Sequence, residues 1–263
     1  IGKCGSSYIV ASETCALDSV GAEFIRDVKP GETILIDKNG LRTVACQPAP
    51  KASRCIFEYI YFARPDSVID GVSVCQWREN AGRALARLHP VDADIVCGVP
   101  DSGLDAALGY SMESGIPYST AFVKSKYIGR TFIAPDQSMR ERAVHLKLNV
   151  NKYHVNGKRV VLIDDSIVRG TTSVPIIKML RDAGATEVHM RVTAPPFRYP
   201  CFFGTDIPDS DHLVAYKSSV EEIAQKLGVD ALGYLSLDSL REIMGSDDYC
   251  DGCFTGKYAM PIP

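Results

Sequence analysis

The stretch from Val160 to Ser173 reads Val-Val-Leu-Ile-Asp-Asp-Ser-Ile-Val-Arg-Gly-Thr-Thr-Ser, and it decides the fold. It opens with apolar residues, which is typical of a strand buried on both faces of a parallel sheet. Two adjacent carboxylates, Asp164 and Asp165, follow at the carboxyl end of this strand. A short loop comes next, and an apolar-periodic pattern predicts a helix over Val174–Arg181. The sequence therefore predicts a strand, a loop and a helix N-terminus in direct succession.

The predicted loop is suited to a phosphate group. Free backbone N–H groups and the helix dipole both favour an anion at a helix N-terminus. Gly170 lets the backbone approach a ligand closely, and Thr171, Thr172 and Ser173 add hydroxyl donors. The two aspartates lie too close to this position to bind the phosphate itself, so we expect them to bind a cation or sugar hydroxyl groups.

A purely structural explanation is a buried strand followed by a helix that Ser166 or Thr171 caps. It accounts for the hydroxyl groups but not for two carboxylates beside a phosphate-type loop. A P-loop site is excluded, because the chain contains no Gly-x-x-x-x-Gly-Lys followed by Ser or Thr.

Composition places the chain among ordinary globular proteins. Its 263 residues are 46% hydrophobic with a net charge of −3, enough for one large or two smaller domains. No run approaches about 18 apolar residues and no signal peptide is evident, so we expect a cytoplasmic protein without a membrane. The charge balance gives no case for nucleic acid. Nine cysteines without a secretion signal predict buried thiols or a metal site rather than disulfides.

The first fifty residues are predicted to be β-rich. A strand is expected over Ser7–Ser12, and Glu32–Asp37 and Leu41–Cys46 form a predicted hairpin around an Asn-Gly turn. A proline-rich break then separates residues 1–50 from residues 51–263. After it, the aromatic run Cys55–Ala63 alternates and predicts another strand.

A second strand, loop and helix are predicted before the central stretch. Ile95–Pro100 is a predicted buried strand, Asp101 and Ser102 lie in a tight loop, and Leu104–Ser114 is a predicted helix. This unit can bring another phosphate-facing loop to the same sheet edge, or it can be an ordinary strand-to-helix turn. Further helices are expected, with Trp77, Leu85 and Leu88 near one face of the first: Gln76–Leu88, Ser219–Leu227 and Leu237–Met244.

A basic stretch over 121–142 carries Lys124, Lys126, Arg130, Arg140 and Arg142. Beside a pyrophosphate site, such a stretch is a candidate lid that excludes water and stabilises the charge of a leaving group. The alternative is a solvated basic loop.

Cys250 and Cys253 form a Cys-x-x-Cys pair near the end of the chain. One such pair is ambiguous between zinc, an iron–sulfur cluster and redox chemistry. A site with four cysteine ligands needs two more thiolates, and spacing does not choose among the remaining seven cysteines.

The central stretch resembles the phosphoribosyl pyrophosphate (PRPP) motif of type I phosphoribosyltransferases. The resemblance implies that the two acids bind the ribose hydroxyl groups and Mg²⁺, and that the loop holds the 5′-phosphate. With the Pro-Asp-Ser loop, the implied PRPP contacts are Asp101, Ser102, Asp164, Asp165, Ser166, Val168, Arg169, Gly170, Thr171, Thr172 and Ser173, with Mg²⁺ at Ser102, Asp164 and Asp165.

Essentially the whole chain resembles the glutamine PRPP amidotransferases, notably over 11–18, 26–32, 57–67 and 121–142. This resemblance implies an α/β type I phosphoribosyltransferase fold with a central parallel sheet over residues 51–263. Residues 1–50 would be the β-rich remnant of an N-terminal-nucleophile glutaminase domain. The basic stretch would be a mobile lid in which Lys124, Lys126 and Arg130 serve catalysis. One class of the family carries a 4Fe–4S cluster, and its pattern falls on Cys55, Cys201, Cys250 and Cys253, which leaves five cysteines as small core residues.

The implied reaction transfers ammonia to C1 of PRPP, releasing pyrophosphate with Mg²⁺ and forming 5-phosphoribosylamine at the start of purine synthesis. The chain begins at Ile1, and Cys4 is not terminal. We therefore expect no glutaminase nucleophile, and ammonia rather than glutamine as the donor. The family also implies purine nucleotide feedback inhibitors and a homo-oligomer, a tetramer. The alternatives are a PRPP-binding regulator, which needs no basic lid, and a purine-salvage transferase, which leaves the cysteines unexplained.

Overall fold

The computed structural model describes residues 1–47, 51–125, 148–205, 207 and 209–262. Strands and helices alternate after an antiparallel N-terminal part. The strands are β1 Gly2–Cys4, β2 Ser7–Ile9, β3 Glu23–Phe24, β4 Glu32–Asp37, β5 Gly40–Cys46, β6 Arg54–Cys55, β7 Val68–Ile69, β8 Val72–Ser73, β9 Ile95–Gly98, β10 Phe122–Lys124, β11 Leu148–Val150, β12 Arg159–Asp164, β13 Glu187–Val192, β14 Ala231–Tyr234 and β15 Tyr249–Cys250.

The α-helices are mostly short, and a π-helical turn, Glu58–Phe62, precedes the longest of them. Predicted helices over 104–114, 174–181, 219–227 and 237–244 all occur, with ends that shift by at most one residue. The α-helices are α1 Thr14–Ser19, α2 Val74–Leu88, α3 Leu104–Ser114, α4 Lys152–Val155, α5 Ser173–Asp182, α6 Val214–Lys217, α7 Val220–Leu227, α8 Leu237–Met244 and α9 Gly252–Thr255.

A four-stranded parallel sheet, in the order β14-β13-β12-β9, forms the centre of the core. In its register Leu162 of β12 lies between Met190 of β13 and Cys97 of β9. All three side chains are fully buried, as the continuous apolar strands predicted. Since the strands are parallel, the loops that follow β9 and β12 leave the sheet at the same edge.

Helices α2 and α3 pack against each other at unusually short range. A Cβ atom on Gly82 would lie 1.9 Å from the carbonyl oxygen of Ala106, and one on Gly109 would lie 1.9 Å from that of Glu79. The predicted face of α2 is confirmed for Trp77 and Leu85, which are buried. It is wrong for Leu88, which is 42% exposed at the C-terminal end of the helix.

The N-terminal part is antiparallel, with strand order β2-β1-β3 and a separate β4-β5 pair. The predicted hairpin is confirmed, whereas the first predicted strand is shorter and ends at Ile9. Hydrogen bonds tie this part to the remainder of the chain. The Glu13 carboxylate accepts from the Ser67 hydroxyl at 2.8 Å, and the Thr14 hydroxyl accepts from the Val68 N–H at 2.8 Å.

The strand predicted over Cys55–Ala63 is wrong. Only Arg54–Cys55 is a strand, and the π-helical turn takes its place. The buried residues Ile56, Tyr59, Ile60 and Ala63 have the i, i+3, i+4, i+7 spacing of a helix, which outweighs the aromatic β-propensity.

No helix among the residues described is long and apolar enough to cross a bilayer.

Candidate active site

Two buried carboxylates stand where strand β12 ends. Asp164 is the last residue of the strand and is 8% exposed, and Asp165 follows it and is 7% exposed. The Asp164 Oδ1 atom accepts from the Asp165 N–H at 2.9 Å. The Asp165 carboxylate accepts short hydrogen bonds from the hydroxyl groups of Ser102 and Ser166. The structure thus brings the predicted acid pair together with a serine of the neighbouring loop.

Burial raises the pKa of both carboxyl groups. For Asp164 the loss of solvent is the larger cause, and the charge of Asp165 adds to it. For Asp165 burial is again the largest cause, while the hydroxyl groups of Ser102 and Ser166 and the charge of Arg78 act in the opposite direction. In the described part of the chain, no lysine or arginine forms an ion pair with either carboxylate. Such a pair is suited to a divalent cation.

The Pro-Asp-Ser loop reaches the acid pair because a glycine lets the backbones approach. A Cβ atom on Gly103 would lie 2.4 Å from the carbonyl oxygen of Ile163, the residue before Asp164. The Val99 N–H also donates to that carbonyl at 2.8 Å. The second predicted unit is therefore more than an ordinary strand-to-helix turn, because it delivers Ser102 to the site.

The loop between β12 and α5 leaves the start of the helix without a side-chain cap. Thr172 is the N-cap residue and makes no side-chain cap hydrogen bond, so the predicted caps Ser166 and Thr171 do not fill that role. Gly170 has a φ angle of 75°, which glycine adopts at little cost. In the first turn of α5 the Val174 N–H donates to the carbonyl of Gly170 at 3.3 Å and Pro175 has no N–H. The N–H groups available to an anion are therefore those of the loop up to Ser173.

The other residues of this loop that were predicted to contact PRPP differ in their exposure to solvent. Arg169, Thr171 and Thr172 are exposed, while Ser173 is buried. The backbone carbonyl of Val168 accepts from the Val214 N–H at 2.9 Å, which fixes the middle of the loop.

Of the five basic residues named in the predicted lid, Lys124 lies within the described residues. Lys124 ends strand β10 and forms an ion pair with Asp101 of the Pro-Asp-Ser loop. Both side chains are substantially exposed, so the pair itself contributes little to stability. Lys126, Arg130, Arg140 and Arg142 lie outside the described residues.

The four predicted cysteine ligands lie around the paired strands β6 and β15 and near α9. Strands β6 and β15 pair in parallel, and Cys55 lies opposite Cys250 in their register. The carbonyl of Cys253 in α9 accepts from the N–H groups of Arg198 and Tyr199, both at 3.0 Å, just before Cys201. Burial raises the pKa of the Cys253 thiol, and the charges of Cys55, Cys201 and Cys250 raise it further. The four predicted cysteines therefore lie within electrostatic reach of one another.

Backbone N–H groups point at two of these sulfur atoms. The pKa of Cys201 is lowered, because N–H groups of Gly204, Phe203 and Thr205 outweigh the opposing effect of burial. The Thr205 N–H lies 3.4 Å from the Cys201 sulfur. Cys55 is exposed as a residue, but the loss of solvent around its sulfur raises its pKa, while the N–H groups of Phe57 and Glu58 act in the opposite direction. Hydrogen bonds of this kind stabilise a thiolate ligand.

No three Cys, His, Asp or Glu side chains in the described ranges converge closely enough to hold a single metal ion. A tetrahedral zinc site needs its sulfur atoms about 2.3 Å from one point. In a cubane each iron takes its own thiolate, so the four sulfur atoms are farther apart.

The other five cysteines do not all behave as core residues. Cys15 and Cys97 are buried and Cys75 is half-buried, whereas Cys4 and Cys46 are exposed. The prediction is wrong for the last two, because Cys4 is at the exposed end of β1 and Cys46 ends β5, where no residue is buried.

Sequence reasoning missed Arg78, a buried residue of α2 whose charge acts on Asp165. Its place in a helical pattern beside Trp77 carries no signal of that role.

The chain is similar to known proteins over its full length. The chain is 51% identical to an amidophosphoribosyltransferase of Archaeoglobus fulgidus over 267 residues, covering 100% of the chain. It is 49% identical to the amidophosphoribosyltransferase of Bacillus subtilis over 268 residues, again over 100% of the chain. The chain belongs to the amidophosphoribosyltransferase family. No family model matches the chain.

A solved structure matches equally well. The glutamine PRPP amidotransferase of B. subtilis, complexed with ADP and GMP, superposes with a TM-score of 0.91 at 48% identity and over 100% of this chain. The α/β fold is therefore the type I phosphoribosyltransferase fold that the resemblance implied. The chain spans 58% and 56% of the two curated relatives and 59% of the solved B. subtilis chain.

Replacing Asp164 with asparagine should stabilise the protein without ligand at neutral pH. The folded-state pKa of Asp164 is raised, so its ionisation opposes folding once the pH exceeds the unfolded-state pKa. Asparagine keeps the Oδ1 acceptor and removes this cost. We expect a gain of about 1 kcal/mol or more at neutral pH that disappears below about pH 4.

Urea unfolding at several pH values measures the effect of this substitution. Asp27→Asn is the control, since Asp27 is exposed and forms no ion pair within the described part of the chain. An Asp164→Asn variant that is no more stable than the wild type at neutral pH would contradict the assigned cost of burial.

Proposed function

We propose that this chain forms the phosphoribosyltransferase part of an amidophosphoribosyltransferase, which transfers ammonia to C1 of PRPP and releases pyrophosphate. The observation that carries the proposal is the meeting of three features at one sheet edge. These are the buried carboxylates Asp164 and Asp165, the uncapped N-terminus of α5 and the hydroxyl group of Ser102. A sugar that carries both a phosphate and a pyrophosphate group is the ligand class that needs all three features.

Each feature has a separate task in binding PRPP. The N–H groups of the Arg169–Ser173 loop would hold the 5′-phosphate, and the acid pair would hold the ribose hydroxyl groups. Mg²⁺, held by Ser102, Asp164 and Asp165, would neutralise charge on the leaving pyrophosphate. Bond breaking at C1 builds oxocarbenium character, so positioning and electrostatic stabilisation are the main contributions of the protein.

The basic stretch would complete the site from the pyrophosphate side. Lys124 already lies at the Pro-Asp-Ser loop through its ion pair with Asp101. With Lys126 and Arg130 it would close over PRPP, exclude water and stabilise the leaving group. No acid or base of the protein is assigned, because ammonia attacks as a neutral nucleophile.

The proposal extends to a longer protein of which this chain would be a part. In a full-length protein, a glutaminase domain would supply ammonia from glutamine, and residues 1–50 would be its C-terminal part. The antiparallel pairing within residues 1–47 and the parallel sheet after residue 51 support this division. The ADP and GMP bound by the B. subtilis relative support purine nucleotides as inhibitors. A homo-oligomer and a cytoplasmic location stay predictions from the sequence.

We also propose a 4Fe–4S cluster on Cys55, Cys201, Cys250 and Cys253. Support comes from the mutual electrostatic influence of these thiols and from the N–H groups directed at Cys201. A cluster here would join β6, β15, α9 and the segment before Cys201 covalently, and its role would be to hold them together.

The two alternative functions account for less of the chain. A regulator that only binds PRPP needs no lysine at the pyrophosphate loop, where Lys124 lies. A salvage transferase does not need the antiparallel N-terminal part, and the relatives at about half identity carry neither name.

The purified chain should release pyrophosphate from PRPP when Mg²⁺ and ammonium ions are supplied. Asp165→Asn should lower this turnover about a hundredfold or more, because a preorganised charge at the reacting ligand is lost. Asp92→Asn, an exposed aspartate far from the site, should retain the wild-type rate. Asp165→Asn turnover equal to that of the wild type would sink the assignment of the acid pair.

The cluster proposal predicts a brown protein after anaerobic purification, with iron and sulfide in equal amounts of about four per chain. Cys201→Ser should remove the colour and both elements. Cys97→Ser, a fully buried cysteine of β9, should keep them. One zinc ion per chain without sulfide would replace the cluster with a zinc site.

A further inference from the structure

A buried threonine directly after strand β13 holds the backbone of the acid pair. Thr193 follows Val192, the last residue of the strand, and is 2% exposed. Its N–H donates to the carbonyl of Asp164 at 3.0 Å, and its hydroxyl donates to the carbonyl of Asp165 at 3.2 Å. The Ala194 N–H donates to the same Asp165 carbonyl at 2.9 Å. Three donors from two successive residues therefore hold the backbone of both aspartates.

These hydrogen bonds accompany a break in the regular alternation of β12. In a regular parallel strand, successive carbonyl groups point to neighbours on opposite sides. The carbonyl of Ile163 accepts from the Val99 N–H on the β9 side, and that of Asp164 accepts from the Thr193 N–H on the β13 side. The carbonyl of Asp165 would be expected to return to the β9 side, but it accepts both its hydrogen bonds from the β13 side. The strand thus ends in two successive carbonyl groups that point to the same neighbour.

The break matters because the two acids are adjacent in the chain. Successive side chains of a strand point to opposite faces of the sheet. On a regular continuation of β12, the carboxylates of Asp164 and Asp165 would leave from opposite faces and would not share a ligand. In the structure, the Asp165 carboxylate accepts from the Ser102 hydroxyl, and the Asp164 carboxylate accepts from the Asp165 N–H. Hydrogen bonds therefore connect Ser102, Asp165 and Asp164 in one group.

We propose that Thr193 is a positioning residue of the PRPP site, whose hydroxyl holds the Asp165 carbonyl on the β13 side so that two adjacent carboxylates serve one ligand. The proposal rests on the function proposed above and adds a residue to it. Thr193 is buried and acts through the backbone of Asp165, so it contacts neither the substrate nor a metal ion. Among the described residues, its hydroxyl is the one side-chain donor to either carbonyl of the acid pair.

Two substitutions separate the hydroxyl of Thr193 from its packing. Thr193→Val keeps the branched shape and removes the donor, whereas Thr193→Ser keeps the donor and removes a methyl group. If the hydroxyl positions the acid pair, valine should weaken ligand binding and serine should preserve it. If the side chain only fills space, serine should be the more harmful of the two.

The test is calorimetric titration of the full chain with Mg·PRPP and, separately, with Mn²⁺ alone, which probes the acid pair without substrate. For Thr193→Val we expect roughly tenfold weaker binding of both ligands, because the Asp165 carbonyl keeps only the Ala194 N–H and the carboxylate loses its fixed position. Thr193→Ser should stay within about threefold of the wild type for both ligands.

Ser111→Ala is the matched control. The Ser111 hydroxyl also donates to a backbone carbonyl, that of Ile116 at 2.6 Å, near the C-terminal end of α3. It lies roughly 10 Å along the helix from the end that follows the Pro-Asp-Ser loop. Its substitution should leave both affinities unchanged.

The Asp165→Asn background shows whether Thr193 acts through Asp165. Without the charge of that carboxylate, its exact position matters less, so Thr193→Val should weaken Mg·PRPP binding by less than about twofold further. A full tenfold loss in this background would mean that Thr193 acts elsewhere, and it would overturn the proposal.

Thr193→Ala takes the place of Thr193→Val if the valine variant does not fold, since alanine differs from serine by the hydroxyl alone. Wild-type affinities in the variant without the hydroxyl, or an equal loss in Thr193→Ser, would also overturn the proposal. A wild-type chain that binds Mn²⁺ but not Mg·PRPP would instead refute the proposed function, while the Mn²⁺ titrations would still report whether Thr193 positions the acid pair.

Discussion

The burial of two adjacent carboxylates at the end of β12 is the constraint on which the rest of the site depends. Removing Asp164 and Asp165 from water disfavours their charged forms, and their proximity adds repulsion. The fold accepts this cost and compensates it in part, through hydroxyl groups from Ser102 and Ser166 and through the charge of Arg78. A ligand that brings positive charge and hydroxyl donors supplies the remainder.

The compensation works only because the sheet is parallel and its loops are close together. The register of β9 and β12 aligns their carboxyl ends, and Gly103 lets the Pro-Asp-Ser loop lie against the backbone of Ile163. A side chain at Gly103 would move Ser102 away from Asp165. Sheet topology and one close backbone contact therefore determine whether the two loops act as one site.

The sequence predicted the parts of the fold that local composition determines. A continuous apolar run, two acids and a glycine loop specify β12 and its loop without long-range information. The π-helical turn was missed because aromatic residues favour strands locally. Its buried residues instead follow a helical spacing, and its carbonyl oxygens find their donor in Arg78, on the following helix. A short window of sequence does not identify this donor, because Arg78 lies well beyond the turn in the chain.

The cysteines also show that a short window of sequence does not identify partners that are distant in the chain. Spacing alone left the partners of Cys250 and Cys253 open, because Cys55 and Cys201 reach them through strand pairing and loop contacts far apart in the chain. The family resemblance selected these four, and the cluster on them stays a proposal. The structure also shows that Cys4 and Cys46 are exposed, because each lies at the exposed end of its strand.

The central claim is that the loop between β12 and α5 holds the phosphate of PRPP while the acid pair holds its ribose and cation. Hydrogen–deuterium exchange of the chain with and without Mg·PRPP tests it most directly. The account predicts slower exchange of backbone amides over residues 165–174 and 101–104, with no change in the β4-β5 hairpin. Unchanged exchange over residues 165–174 at saturating Mg·PRPP would contradict it.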